Sequence, residues 1–184
     1  TMFDQIRDSK LTSKTGYEYS DLGFHLFPTL IEQLSTQNYE ELLYSKFFEP
    51  LGATTACYNA YKHLPLSEIA PTEMDDQFRN TLVHGYVHDE GAALMGGVSG
   101  HAGLFGSSLD LAKILQMYLQ EGFYGGKRYF KPETVAEFTK VQFPDTHNRR
   151  GLAFDKPTLG NSNLPQSRAY PAPLVSSSSY GHTG

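Results

Sequence analysis

The sequence predicts an α/β chain of the α+β kind, mainly helical with short strands, and three observations carry that expectation. Leu22, Leu26, Phe27, Leu30, Ile31 and Leu34 recur at three- and four-residue steps, the spacing of one helix face. Tyr39, Leu42, Leu43 and Phe47 mark a second such stripe, and Leu111, Ile114, Leu115 and Tyr118 a third. Apolar and polar residues alternate only briefly, at Gly151–Asp155 and Val175–Gly184, so any strands are short and late.

Taken in order, the first helix runs from Leu22 to Ser35. Asn38 followed by Glu41 has the form of a helix-start cap, and Pro50 with Gly52 terminates the second helix, which forms a hairpin with the first. Between Ala53 and Gly106 the periodicity fades among prolines and glycines, which predicts a long ordered surface excursion with short elements. Ser107 with Asp110 caps the third helix, which ends at Gly122, and Pro132 suits the first position of a fourth before Val135 and Phe138. Prolines 157, 165 and 171 make the stretch between them a loop. The stripes need partners, so Leu26, Leu30, Leu34, Leu43, Phe47, Leu111, Leu115 and Tyr118 are expected in one buried core, on which the helical reading depends.

At 184 residues the chain has the length of one domain with a real core, and 12 Phe and 12 Tyr supply the apolar surface to build it. A net charge of -5 offers no basic face for phosphates, so nucleic acid is not an expected partner. The single Cys57 has no intrachain disulfide partner and is read as a half-buried, unreactive thiol. No apolar run approaches the ~18–20 residues of a membrane span, and residues 1–10 lack a signal peptide's apolar stretch. The chain is therefore read as beginning after any targeting segment.

Three segments stand out for chemistry. Gly16-Tyr17-Glu18-Tyr19-Ser20-Asp21-Leu22-Gly23-Phe24 precedes the first helix, which is followed by Phe47-Phe48-Glu49-Pro50-Leu51-Gly52. Gly100-His101-Ala102-Gly103-Leu104-Phe105 leads toward the third helix, and Tyr180-Gly181-His182-Thr183-Gly184 closes the chain. In this order they resemble the Tyr-x-Asn, Gly-Gly-Leu and Lys-Thr-Gly segments of the β-lactamase and penicillin-binding-protein superfamily, in its class C β-lactamase, esterase and D-aminopeptidase branch. The resemblance runs from Gly16 to Gly184. It implies a β-lactamase-like fold, of which residues 1–184 form one incomplete domain: mainly the helical lobe, with part of the antiparallel sheet.

The resemblance also implies roles. Tyr19 falls where the family has a general base or proton relay, and Asp21 where an Asn orients the substrate and the active-site lysine. His182, Thr183 and Gly184 fall on the strand that edges the pocket and binds substrate, so Tyr19 and His182 are expected to approach one cleft. The implied activity is that of a serine hydrolase working through an acyl-enzyme on a D-amino-acid amide, cell-wall peptide, β-lactam or ester. It needs no cofactor and no metal, and its setting is extracytoplasmic, periplasmic or at the cell surface. The alternative is a noncatalytic cell-wall or glycan binding module attached to a glycosidase.

Two departures shape these expectations. No serine in the sequence is followed by lysine at the third position after it, so the family's Ser-x-x-Lys nucleophile is absent and the chain alone is expected to be inactive. A phenol of reference pKa ~10 is a poor base at neutral pH unless a cation such as that lysine depresses it. Asp in place of Asn exchanges an amide for an acceptor-only carboxylate, and His in place of Lys makes the charge at position 182 vary with pH. Esterase, peptidase or amidase activity is thus as well supported as antibiotic hydrolysis.

Other patterns read as structure. His84, His88, Asp89, Glu90 and His101 invite comparison with zinc ligands, but Gly85 stands where a zincin helix carries its catalytic Glu. Gly97-Val98-Ser99-Gly100-His101 approaches a nucleophile elbow but ends in His, and no strong parallel strand precedes it.

Overall fold

The computed structural model describes residues 2–10, 16–146 and 148–183, which fall into two compact units. The first holds the described residues of 1–13 and 19–116; the second holds those of 14–18 and 117–183. The architecture mixes helices with small antiparallel sheets, as the sequence predicts.

In the first unit α1 (Met2–Arg7) precedes the Tyr19–Asp21 segment, and a 3-10 turn at Phe24–Leu26 leads into α2 (Phe27–Ser35). Pro28 sits in the first turn of α2, where its missing N–H leaves nothing unpaired. α3 (Tyr39–Leu43) begins at Asn38, whose side chain accepts from the Glu41 N–H at 3.2 Å, the expected cap. The helix continues through a π-turn at Tyr44–Phe48 into α4 (Glu49–Leu51) and stops at Gly52. Pro50 therefore does not end the helix. A proline ring collides with the carbonyl four residues back in a regular α-helix, and the wider turn just ahead of Pro50 changes that register.

β1 (Cys57–Tyr58), β2 (Pro71–Asp75) and β3 (Thr81–His84) follow, then α5 (Glu90–Leu94) and β4 (Leu104–Phe105). β1 pairs with β4, Cys57 opposite Phe105 and Tyr58 opposite Leu104, and β2 pairs with β3. α6 (Ser108–Leu119) starts with Ser107 Oγ accepting from the Asp110 N–H at 3.2 Å, again the expected cap, and its last residues belong to the second unit. There β5 (Phe123–Tyr124) and β6 (Lys127–Arg128) pair, and α7 (Pro132–Thr139) places Pro132 as predicted.

Where the core sits is the main correction. Leu26, Leu30, Leu34, Leu111 and Leu115 are exposed, Leu34 at 77%, while Leu43, Phe47 and Tyr118 are half-buried. The buried apolar residues of the first unit are Tyr39, Phe48, Leu51, Ala53, Ala56, Tyr58, Ala60, Val83, Val87 and Ala92. Seven of these ten lie between residues 53 and 106, so that stretch is the core and not a surface excursion. An amphipathic stripe tells which helix face is apolar, not whether the chain covers it. The stripes thus do not support the helical-lobe reading through a shared core, and the fold class stands instead on the arrangement of elements and on the relatives described below.

In the second unit Met117 and Val135 are buried, and rings do much of the remaining packing: Tyr118 stacks on Phe130, and Phe154 packs edge-on against both Tyr118 and Tyr180, each at 5.4 Å. Neither expected late strand forms among the described residues; the two segments meet in a single antiparallel bridge, Asp155 to Gly181. Ala153 adopts φ 62° and Gly151 N–H donates to Phe154 O, which makes a turn of the first segment. In the second, Ser176 Oγ accepts from the Ser178 N–H and Ser176 O from the Ser179 N–H, local bonds that compete with a ladder.

Candidate active site

The Tyr19–Asp21 segment is shaped by local bonds. Ser20 Oγ accepts from the Leu22 N–H at 3.2 Å, and Asp21 O accepts from the Phe24 N–H at 2.9 Å, which opens the 3-10 turn. Tyr19 is exposed. Gly23 holds the N-cap position of the 3-10 turn, and Asp21 Oδ1 is shielded from solvent without a hydrogen-bond donor among the described residues. A carboxylate oxygen in that state is costly, and it is a ready acceptor for an incoming N–H or ammonium group.

The terminal segment belongs to the second unit. His182 and Thr183 are exposed, with His182 Nδ1 2.6 Å from Thr183 O, and Gly184 lies outside the described residues. Both border a cavity of about 220 Å³ shared with Asp155, Lys156, Tyr170 and Tyr180. The Asp155 carboxylate is occupied by Arg149 at 3.3 Å, Arg150 at 2.9 Å and the Tyr170 hydroxyl at 3.1 Å. Lys156 Nζ donates to Ser179 O at 3.1 Å, and burial pushes its pKa down. Tyr19 and Asp21 lie in the first unit and His182 and Thr183 in the second.

The histidines weighed as zinc ligands go to separate partners. His84 Nε2 lies 2.6 Å from Ile69 O, and His88 Nε2 lies 3.2 Å from Glu73. No group of three or more His, Cys, Asp or Glu side chains suited to a metal occurs among the described residues. A larger cavity of about 460 Å³ in the first unit, bordered by Glu40, Tyr44, Phe48, Cys57 and His63, contains none of the expected site residues. Burial raises the Cys57 pKa, which disfavours the nucleophilic thiolate.

One arrangement was not foreseen from sequence. Ser99 Oγ lies 3.1 Å from His25 Nδ1 and 3.0 Å from His101 Nδ1, and His101 Nε2 lies 3.2 Å from Asp89 Oδ1. The order Asp-His-Ser is that of a hydrolase triad, but Ser99 is 1% exposed, so no substrate reaches it as the structure stands. His25 follows Asp21 by four residues, yet its partners are 64 to 76 positions away, beyond any periodicity a sequence displays.

Comparison with known proteins shows the family of the chain. The β-lactamase family model matches residues 1–184. A protein of Salmonella enteritidis PT4, provisionally named a D-alanyl-D-alanine carboxypeptidase, is 31% identical over all of this chain and 44% of its own length. One of the same name from Escherichia coli K12 is 33% identical over 90% of this chain and 39% of its own. This chain thus spans less than half the length of these relatives. Among solved structures, a β-lactamase-type protein of Bacteroides dorei aligns over 84% of this chain and 43% of its own at TM-score 0.56 and 19% identity, a likeness of fold. The octameric penicillin-binding protein homologue from Pyrococcus abyssi aligns over 71% of this chain and 27% of its own at TM-score 0.50 and 25% identity. With a whole-chain family match and relatives above 30% identity, the chain belongs to the β-lactamase family.

Proposed function

We propose that residues 1–184 are one incomplete β-lactamase-like domain of a serine hydrolase that acts through an acyl-enzyme. Its substrate is a cell-wall peptide or D-amino-acid amide in preference to a β-lactam or ester, and the relatives named for D-alanyl-D-alanine carboxypeptidase support the peptide. The observation that carries the reading is Asp21, whose buried carboxylate oxygen has no donor among the described residues while Tyr19 beside it is exposed. An ionised carboxylate accepts readily from an ammonium, and the family's active-site lysine is the group its Tyr-x-Asn position orients.

In this reading Tyr19 takes the proton of the attacking serine hydroxyl and returns it to the leaving amine, and Asp21 fixes the lysine that makes such a phenol basic enough. His182, Thr183 and Gly184 edge the substrate. Serine and lysine both come from a Ser-x-x-Lys that this sequence does not contain, so the chain by itself turns nothing over. The setting is extracytoplasmic, as cell-wall substrates require. The binding-module alternative differs in one feature, the absence of Ser-x-x-Lys from the whole protein.

The test uses a longer protein that includes the Ser-x-x-Lys segment, assayed on a D-alanyl-D-alanine peptide and a D-alanyl amide. Tyr19→Phe is expected to lower kcat by about 10²–10⁴ with little change in KM, the size of a lost acid-base step. Turnover unaffected by Tyr19→Phe would remove Tyr19 from the mechanism.

A further inference from the structure

Four side chains from three separate segments meet inside the first unit. Asp89 is the N-cap of α5 and accepts from the Ala92 N–H at 2.6 Å; Ser99 and His101 lie on the following loop; His25 lies in the 3-10 turn that the Tyr19–Asp21 segment opens. Ser99 is 1% and His25 4% exposed, and the two imidazoles pack edge to face at 4.4 Å.

Two glycines make this packing possible. A Cβ on Gly100 would stand 2.4 Å from Phe24 O, and one on Gly91 would stand 2.9 Å from the His25 ring. Both the loop and α5 are thus brought against the 3-10 turn more closely than a side chain permits.

The hydrogen-bond capacity of each group fixes a direction along the chain. An ionised Asp89 only accepts, so His101 donates from Nε2 and presents a bare Nδ1. Ser99 has one proton and gives it to that Nδ1, and its oxygen then accepts from Nδ1–H of His25. Every contact is satisfied with both imidazoles neutral. A second proton on His25 finds Asp89, His101 and Asp21 as the ionisable neighbours. Burial, followed by His101, pushes the His25 pKa down, with Asp89 and Asp21 pulling the other way.

We infer that the Asp89–His101–Ser99–His25 chain is a proton-dependent positioning device that holds the Tyr19–Asp21 segment against the body of the first unit, the four residues acting through the 3-10 turn and not on substrate. That the held segment is catalytic rests on the function proposed above; the positioning does not. A depressed imidazole pKa means that the unfolded or released state binds the proton first. The restraint is then complete above an unfolded value of about 6.5 and is lost as pH falls below it.

The experiment is amide hydrogen exchange by mass spectrometry on the 184-residue chain, following the peptide that covers residues 19–27, with rates corrected for intrinsic pH dependence. In the parent chain, exchange in this peptide should rise severalfold between pH 7.5 and pH 5.5, toward a ceiling of about tenfold (about 1.4 kcal/mol) that one histidine with an unfolded pKa of about 6.5 sets over that interval. Ser99→Ala should give the fast rate at both pH values and abolish the pH dependence. Tyr86→Phe serves as the matched control, because it deletes a hydroxyl bonded to Ala93 O at 3.0 Å in the same unit without touching the chain. It should leave the 19–27 peptide slow at pH 7.5.

Nitrogen NMR of the parent chain at pH 7.5 gives a reading that needs no variant. The inference requires a protonated Nε2 and bare Nδ1 on His101, and a protonated Nδ1 on His25. Equal exchange in Ser99→Ala and Tyr86→Phe, a flat pH profile in the parent chain, or the opposite tautomers would each overturn it. Because none of these readings involves turnover, they stand apart from the fate of the hydrolase reading, which is decided by the Tyr19→Phe assay.

Discussion

At the scale of single residues, the carboxylates of this chain show how partners decide behaviour. Asp75 is heavily bonded: it accepts from the backbone N–H groups of Gln77, Phe78 and Arg79 and from Arg79 Nε at 2.6 Å. The guanidinium first, then the Phe78 N–H, holds its pKa well below the usual carboxylate range. Arg79 also reaches the carbonyls of Val87 and His88 and so ties the β2–β3 turn to the segment ahead of α5. The stabilisation from a depressed carboxylate is complete above its unfolded pKa of about 3.9 and disappears as pH falls through the folded value. Asp75→Asn should therefore be less stable than the parent at pH 7, with the gap closing below about pH 4, as urea midpoints across that range would reveal. Asp21 is the opposite case, a carboxylate with one oxygen left without a donor among the described residues.

At the scale of elements, the starts of α3, α6 and α7 were legible, while α2 begins at Phe27 and not at Leu22, and the covering of the helix faces was not legible. Asn38, Ser107 and Pro132 mark helix starts through hydrogen bonds or ring geometry that extend only a few residues, so their sequence signatures suffice. Burial depends on what arrives from elsewhere. The β2–β3 hairpin escaped notice for the same reason, since Thr-Glu-Met-Asp and Thr-Leu-Val-His alternate too weakly to stand out and their turn is held by the Arg79 bonds. The His25, Asp89, Ser99 and His101 set depends on tertiary contact altogether. In the second unit the terminal segment is held by one bridge and by the Phe154 ring, which touches Tyr118 and Tyr180. Phe154→Ala removes two aromatic pairs of about 0.5–1.5 kcal/mol each, so a loss of about 1–3 kcal/mol is expected by thermal or urea unfolding. Faster exchange at residues 180–183 should accompany it, and unchanged exchange there would show that the ring does not hold the segment.

At the scale of the whole molecule, family membership and the absence of Ser-x-x-Lys point the same way. No described helix is long and apolar enough to cross a membrane, and the apolar sides of α2 and α6 are exposed among the described residues. The three motifs that announced the family could be read from sequence because each is a short run of neighbouring residues. Among the described residues, Ser99 is the serine with a histidine on its hydroxyl and a carboxylate behind that histidine, and it is buried. The most direct test is intact-mass spectrometry of the 184-residue chain after exposure to a fluorophosphonate and, separately, to a penicillin. If the chain is inactive by itself, as proposed, its mass should stay unmodified with both reagents and p-nitrophenyl acetate should not be hydrolysed above buffer, since the sequence contains no Ser-x-x-Lys and Ser99 is buried. A stoichiometric adduct on a serine of this chain, with turnover abolished by changing that serine to alanine, would contradict it.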